Sequence, residues 1–197
     1  MSKRQINDTN ILKTLRSDRT TGFRALFDAY YMPLCLFSVQ LTDDFDASED
    51  IVQTFFVSFW ENNLHENIGT SLRYYLFRSI RNNTLAYLRK NGAADRMPID
   101  ETLLRDEQLK EFIDYGHNEK LLSEREEMLH KALATLSPQE LEALQQVVVN
   151  EQSYKDTALA MGISVNTVKT HLRRAMKKLR NMSPILIVFL SYCYQGK

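Results

Sequence analysis

The chain has 197 residues, 44% of them hydrophobic, which is enough apolar material for the cores of one domain or two small ones. Its 25 basic and 25 acidic side chains cancel, which excludes a uniformly basic coat for nucleic acid and makes the distribution of charge along the chain the informative quantity. Six glycines, four prolines and many leucines at helical spacing, with no sustained period-two alternation, predict an all-α protein. Cys35 and Cys193 are too isolated to pair, and His65, His117, His130 and His171 lack ligand spacing and are expected at surfaces or interfaces. The start MSKRQINDTN is no secretory signal, so the expected setting is the reducing cytoplasm, with no metal, cofactor or catalytic constellation.

Residues 1–19 read as an N-terminal extension, and a first helical domain is expected over 20–90. It opens with Phe23, Leu26, Phe27, Tyr30, Leu34 and Phe37 on one stripe, which Pro33 should kink or break. Asp46 and Glu49 form a D-x-x-E capping box for a helix carrying Ile51, Val52, Phe55, Phe56, Phe59 and Trp60, an apolar band too wide for one neighbour to cover. Thr70 is expected to cap the next helix, with Leu72, Leu76, Ile80 and Leu88 inward and Arg73, Tyr74, Arg78, Arg81, Asn82 and Asn83 outward. Rings, amides and guanidinium groups on one face suit single-stranded nucleic acid, where bases stack while cations hold phosphates. The competing reading is a solvated basic face with two rim aromatics. Charge is segregated here: residues 41–72 hold seven acids and no Lys or Arg, whereas 70–90 hold Arg73, Arg78, Arg81, Arg89 and Lys90 and no acid. Opposite potentials on successive helices point to two partners, one basic and one a polyanion.

Residues 91–122 read as an acidic linker, with a short helix suggested by Leu103, Leu104, Leu109 and Phe112. Roughly 30 extended residues reach about 100 Å, beyond two turns of B-DNA at about 34 to 36 Å each, so two domains could hold separated DNA sites. A four-helix second domain is expected over 123–181, opened by a capping box at Ser123 and continued through Ser137, Pro138 and Glu140 as cap, first-turn proline and acid. Within it SYKDTALAMGISVNTVKTHLRRAMKKLR reads as a helix-turn-helix, with caps at Ser153 and Ser164, small Ala158 at the crossing and Gly162 in the turn. Val168, Leu172, Ala175 and Leu179 bury one face of its second helix, and Lys169, Thr170, Arg173, Arg174 and Lys177 present the other. The segment 182–197 forms an apolar tail too short to span a bilayer as a helix, expected to dock on the second domain.

The order of acidic aromatic helix, basic helix, acidic linker and terminal helix-turn-helix resembles the extracytoplasmic-function sigma factors of bacterial RNA polymerase. DIVQTFFVSFW is similar to the family's segment that grips the clamp coiled coil of the largest polymerase subunit, and LRYYLFRSIRNNTLAYLRK to its minus-10 melting helix. SPQELEALQQVVVNEQSYKDTALAMGISVNTVKTHLRRAMKKLR is similar to its domain for the minus-35 element. The resemblance implies a factor that joins core RNA polymerase, recognises and melts promoter DNA, is no enzyme by itself, is monomeric when free and is restrained by an anti-sigma factor. By position, Asp50, Gln53, Phe56 and Trp60 would meet polymerase, Arg78, Arg81, Asn82 and Asn83 the melted strand, and Lys169, Thr170, Arg173, Arg174 and Lys177 the upstream duplex. Thr167 falls near a phosphate, and a flipped base would be captured near residues 65–70. A free-standing two-domain regulator that binds operator DNA as a dimer shares the helix-turn-helix but would need a sensor pocket or phosphoacceptor in its first domain.

Overall fold

A computed structural model describes residues 8–69, 71–91, 109 and 119–183, and divides the chain into two compact units, Met1–Tyr115 and Gly116–Lys197. Among the described residues there are eight α-helices and no strand, so the protein is all-α. None of these helices is long and apolar enough to cross a membrane. Of the acidic linker only Leu109 is described; Leu103, Leu104 and Phe112, and the tail from residue 184, lie outside the described residues.

The first unit contains α1 (Asp8–Ser17), α2 (Arg19–Thr42), α3 (Phe45–Glu61), a 3₁₀ turn (Leu64–Asn67) and α4 (Leu72–Lys90). Although α1 falls in the segment read as an extension, it buries Ile11 and Leu15 and crosses α2 at Gly22. A Cβ on Gly22 would lie 2.3 Å from the Leu15 backbone nitrogen, so only glycine permits this approach. Asp8 is also tied inward: its carboxylate accepts a hydrogen bond from the Tyr30 hydroxyl and lies 3.6 Å from Arg73 Nε. Asp18 caps α2 by accepting from the Thr21 N–H at 3.1 Å.

Contrary to expectation, α2 is not broken at Pro33. Losing one helical donor costs about 3 kcal/mol, but all ten residues of 33–42 are buried, and each large apolar side chain returns about 1.5–3 kcal/mol. Tertiary packing therefore holds the helix through its weakest residue. The hydroxyls in this core pair with one another, Ser38 with Thr84 on α4 at 3.0 Å and Thr42 with Ser48 on α3 at 2.7 Å.

Two caps sit beside the positions expected for them. Asp44, rather than the Asp46 box, caps α3 by accepting from the Ala47 N–H at 3.2 Å. Ser71 Oγ faces the Tyr74 N–H at 3.5 Å at the start of α4, while Thr70 lies outside the described residues.

The second unit contains α5 (Glu119–Leu133), α6 (Pro138–Leu144) continuing as a π turn (Gln145–Val149), α7 (Tyr154–Met161) and α8 (Val165–Met182). Ser123 lies inside α5 and does not open it; the helix-favouring residues Glu119 to Leu122 extend the helix past that cap. Its inward stripe is Leu129 and Ala132, and Met128 is exposed. The expected box at Ser137 is present in both directions: Ser137 Oγ accepts from the Glu140 N–H at 3.3 Å, and Glu140 Oε2 from the Ser137 N–H at 2.8 Å.

Glu140 is buried and also accepts a 2.7 Å hydrogen bond from the Lys178 ammonium. Burial alone would raise its pKa, but Lys178 and Ser137 together hold the carboxyl below the ordinary value. A lowered native pKa stabilises the fold above the unfolded carboxyl's pKa and loses that contribution as pH falls through the native one. Glu140→Gln is expected to destabilise the second unit by about 1–2 kcal/mol at pH 7, since Lys178 is part-exposed and screened. The difference from wild type should shrink below pH 4.5, as read by urea unfolding at several pH values; a constant difference would exclude the ionised pair as its source.

Candidate functional site

Three surfaces bring charged and aromatic side chains together. The first is the helix-turn-helix of α7 and α8. Ser153 Oγ accepts from the Asp156 N–H at 3.1 Å, Gly162 closes α7 in the left-handed region at φ 66°, and Ser164 Oγ accepts from the Thr167 N–H at 3.1 Å. The Ile163 N–H reaches back to the Ala158 carbonyl at 3.0 Å, so the turn is stapled by its own backbone.

Helix α8 buries Val168, Leu172, Ala175, Met176 and Leu179. Thr170, Arg173, Arg174 and Lys177 are exposed, whereas Thr167, Lys169 and His171 are half-buried. Lys169 Nζ lies 5.3 Å from the Tyr154 ring centre, a cation over an aromatic face. Of the six cations on α8, Lys178 is engaged by Glu140, so the outward face is narrower than charge counting suggests. His171 Nδ1 is buried with no hydrogen-bond partner among the described residues, which makes this residue a packing contact more than a polar one.

The second surface is α4. Arg78, Asn82, Asn83 and Tyr87 are exposed, with Tyr74 and Tyr75 half-buried and the Arg78 guanidinium 6.0 Å from the Tyr74 ring. Arg73 and Arg81 depart from the expected outward face: both are buried, at 5% and 6% exposure. The charged periodicity of α4 overstates its solvent face because the helix is packed against α2 and α3 and also meets α1. His65 is buried too, its ring 6.3 Å from that of Phe59, so it is a core residue of the turn before α4 and is closed to a base.

Between α3 and α4 runs a groove of about 610 Å³ with Ile51 and Phe55 in its lining and Thr54, Ser58, Tyr75 and Tyr87 along its walls. Asp50 opens into this groove beside Asn82 and Asn83. Sequence reading missed Tyr75 and Tyr87 as wall residues, although both aromatics lie on the singled-out helix.

The third surface is a groove of about 760 Å³ between α2 and α3, lined by Phe23, Phe27, Gln53, Phe56, Val57 and Trp60 with charged residues at its margin. Gln53, Phe56 and Trp60 meet there, while Asp50 does not line it. Phe56 is 98% buried as the groove's floor, its ring 5.1 Å from Phe27 and 5.9 Å from Phe23. Gln53 is exposed and its Nε2 donates to the Tyr31 hydroxyl at 3.1 Å. Val57 is 56% exposed, an apolar side chain left at the lip.

Residues 26–94 match the family model for sigma-70 region 2, and residues 126–179 that for sigma-70 region 4. No curated protein sequence matches the chain. Among solved structures, the chain is similar to the sigma factor RpoE of Bartonella quintana, crystallised in complex with the anti-sigma factor NepR. That likeness has 24% identity over 77% of this chain and 91% of the other, with a TM-score of 0.29. The two family matches follow one another in chain order and together span more than half of the sequence, the first containing α3 and α4 and the second the helix-turn-helix. The chain therefore belongs to the sigma-70 family, whose role is promoter recognition in transcription initiation.

Proposed function

We propose that this protein is a sigma factor of the extracytoplasmic-function type, which joins core RNA polymerase, reads a minus-35 element with α8 and melts and holds the minus-10 region with α4. The observation that carries this reading is the adjacency, within one small unit, of two unlike surfaces. The α2/α3 groove is apolar and lies on the acid-rich helix, fitting a coiled coil with basic flanks. The α4 face offers Arg78, Asn82, Asn83 and Tyr87, fitting a separated strand.

In this scheme Gln53, Val57 and Trp60 make the polymerase contact over Phe56, and Asp50 stands at the border between polymerase and DNA grooves. Arg81 supports α4 from inside and leaves the strand to Arg78, Asn82 and Asn83. Upstream, Lys169, Thr170, Arg173 and Arg174 address bases and phosphates while Thr167 and Lys177 hold the backbone. The factor works in the cytoplasm, is a monomer when free, and its apolar groove is the surface an anti-sigma factor would cover. Two separate modules bind promoter DNA weakly alone, and polymerase supplies the fixed spacing that adds their affinities.

The test is co-elution of the full chain with purified bacterial core polymerase on size exclusion, beside a Trp60→Ala, Asp50→Ala variant of equal helix content. Wild type is expected to co-elute and the variant to separate. Tyr87→Ala should keep polymerase but weaken capture of the melted strand by about 1–3 kcal/mol, the worth of one stacked base, measured on a fork-junction template. A folded wild-type chain that ignores polymerase and binds duplex DNA as a dimer would establish the free-standing regulator instead.

A further inference from the structure

Trp60, at one end of the α2/α3 groove, is the last residue but one of α3, and its carbonyl accepts the Asn63 N–H at 3.4 Å. It is held by two residues of α2. Arg19, the first residue of α2, donates from Nη2 to the Trp60 carbonyl and lays its guanidinium carbon 3.9 Å from the centre of the indole ring. Phe23, one turn further along α2, meets the same indole edge-on at 5.0 Å. Arg19 does not line the groove, whereas Trp60 and Phe23 both do.

We propose that Arg19 is a positioning residue for the partner-docking groove: it bolts the C-terminal end of α3 to the N-terminal end of α2 and presents the Trp60 indole as a preformed wall. The inference rests on the reading of this groove as the polymerase contact. Arginine is suited to both tasks, because its planar fork can donate to a carbonyl while its face stacks on a ring; a lysine ammonium can do only one at a time. A wall ordered before binding spares the partner the cost of ordering it.

Trp60 is the single tryptophan of the chain, so its fluorescence reports the contact directly. The experiment compares wild type, Arg19→Met, Arg19→Lys and Val57→Glu as full chains, first by Trp emission and acrylamide quenching, then by affinity for core polymerase. Thermal unfolding confirms that each is folded. Arg19→Met is expected to shift emission to the red, roughly double the quenching constant and weaken polymerase binding about tenfold, with Arg19→Lys between it and wild type. Emission and quenching unchanged in Arg19→Met would overturn the proposed hold on the ring, and a spectral change with polymerase affinity within about twofold of wild type would overturn its part in docking. Val57→Glu separates the two levels. If it leaves polymerase binding intact, the groove itself is not the docking surface; if it abolishes binding while Arg19→Met does not, only the role of Arg19 falls.

Discussion

Gly22→Ala is expected to destabilise the first unit by roughly 3 kcal/mol, the upper end of what overpacking usually costs. The added Cβ would sit 2.3 Å from Leu15 N, 2.5 Å from Leu15 Cα and 2.8 Å from the Thr14 carbonyl carbon. All three are backbone atoms, so no rotamer change relieves them, and α1 must move away from α2. Moving it withdraws Ile11 and Leu15 from the core and separates Asp8 from Tyr30 and Arg73. Arg73 is 95% buried, and a buried cation that loses a carboxylate is costly, so the loss propagates to the start of α4. Urea unfolding followed by Trp60 emission, which reports the first unit alone, measures the effect. A change below about 0.5 kcal/mol, the range of ordinary surface substitutions, would show that α1 is not seated on Gly22. The functional consequence follows from α4: the variant should open promoter DNA poorly at temperatures where wild type is still fully folded.

That the segment containing α1 reads as an extension shows where legibility ends. A helix of ten residues buries only the i,i+4 pair Ile11 and Leu15, and the seat that holds them is encoded in one glycine on a different helix. Local signals fared better. Ser137, Ser153, Gly162 and Ser164 all act as expected because capping is decided within about four residues, and the α8 stripe of Val168, Leu172, Ala175 and Leu179 is buried throughout.

Near misses came where several candidates competed. Asp43, Asp44 and Asp46 crowd the start of α3, and Asp44 is the cap because burying Phe45 sets the first helical residue. Pro33 and Ser123 were overruled by packing and by propensity, respectively. The α4 face was the least legible, since a helix packed on several sides admits even arginines to its interior. Arg73 finds Asp8, which lies far away in sequence. For the same reason the division of α3 between two grooves, with Asp50 in one and Trp60 in the other, follows from the neighbours and not from the spacing.

Arg173→Ala is expected to cost about 1–3 kcal/mol on the cognate upstream element and far less on a scrambled one, whereas Lys177→Ala should weaken both equally and lower the salt slope by about one. The distinction rests on where each side chain stands on α8. Arg173 lies one turn beyond Lys169 and Thr170 and is exposed, with its neighbour Leu172 locked in the core, so on the proposed reading a rigid helix would carry its guanidinium toward a base edge. Lys177 is exposed a further turn along, and on the same reading it would lie beyond the part of a recognition helix that enters the groove, where a flexible ammonium would meet phosphate as a point charge. His171, half-buried with its Nδ1 closed off, is a packing contact at either place, so His171→Asn should leave the salt slope unchanged. Fluorescence anisotropy of the polymerase complex on both templates, from low to physiological salt, separates the contributions. Equal losses for Arg173→Ala on cognate and scrambled elements would move Arg173 from base reading to backbone contact and pass specificity to Thr170 and Arg174.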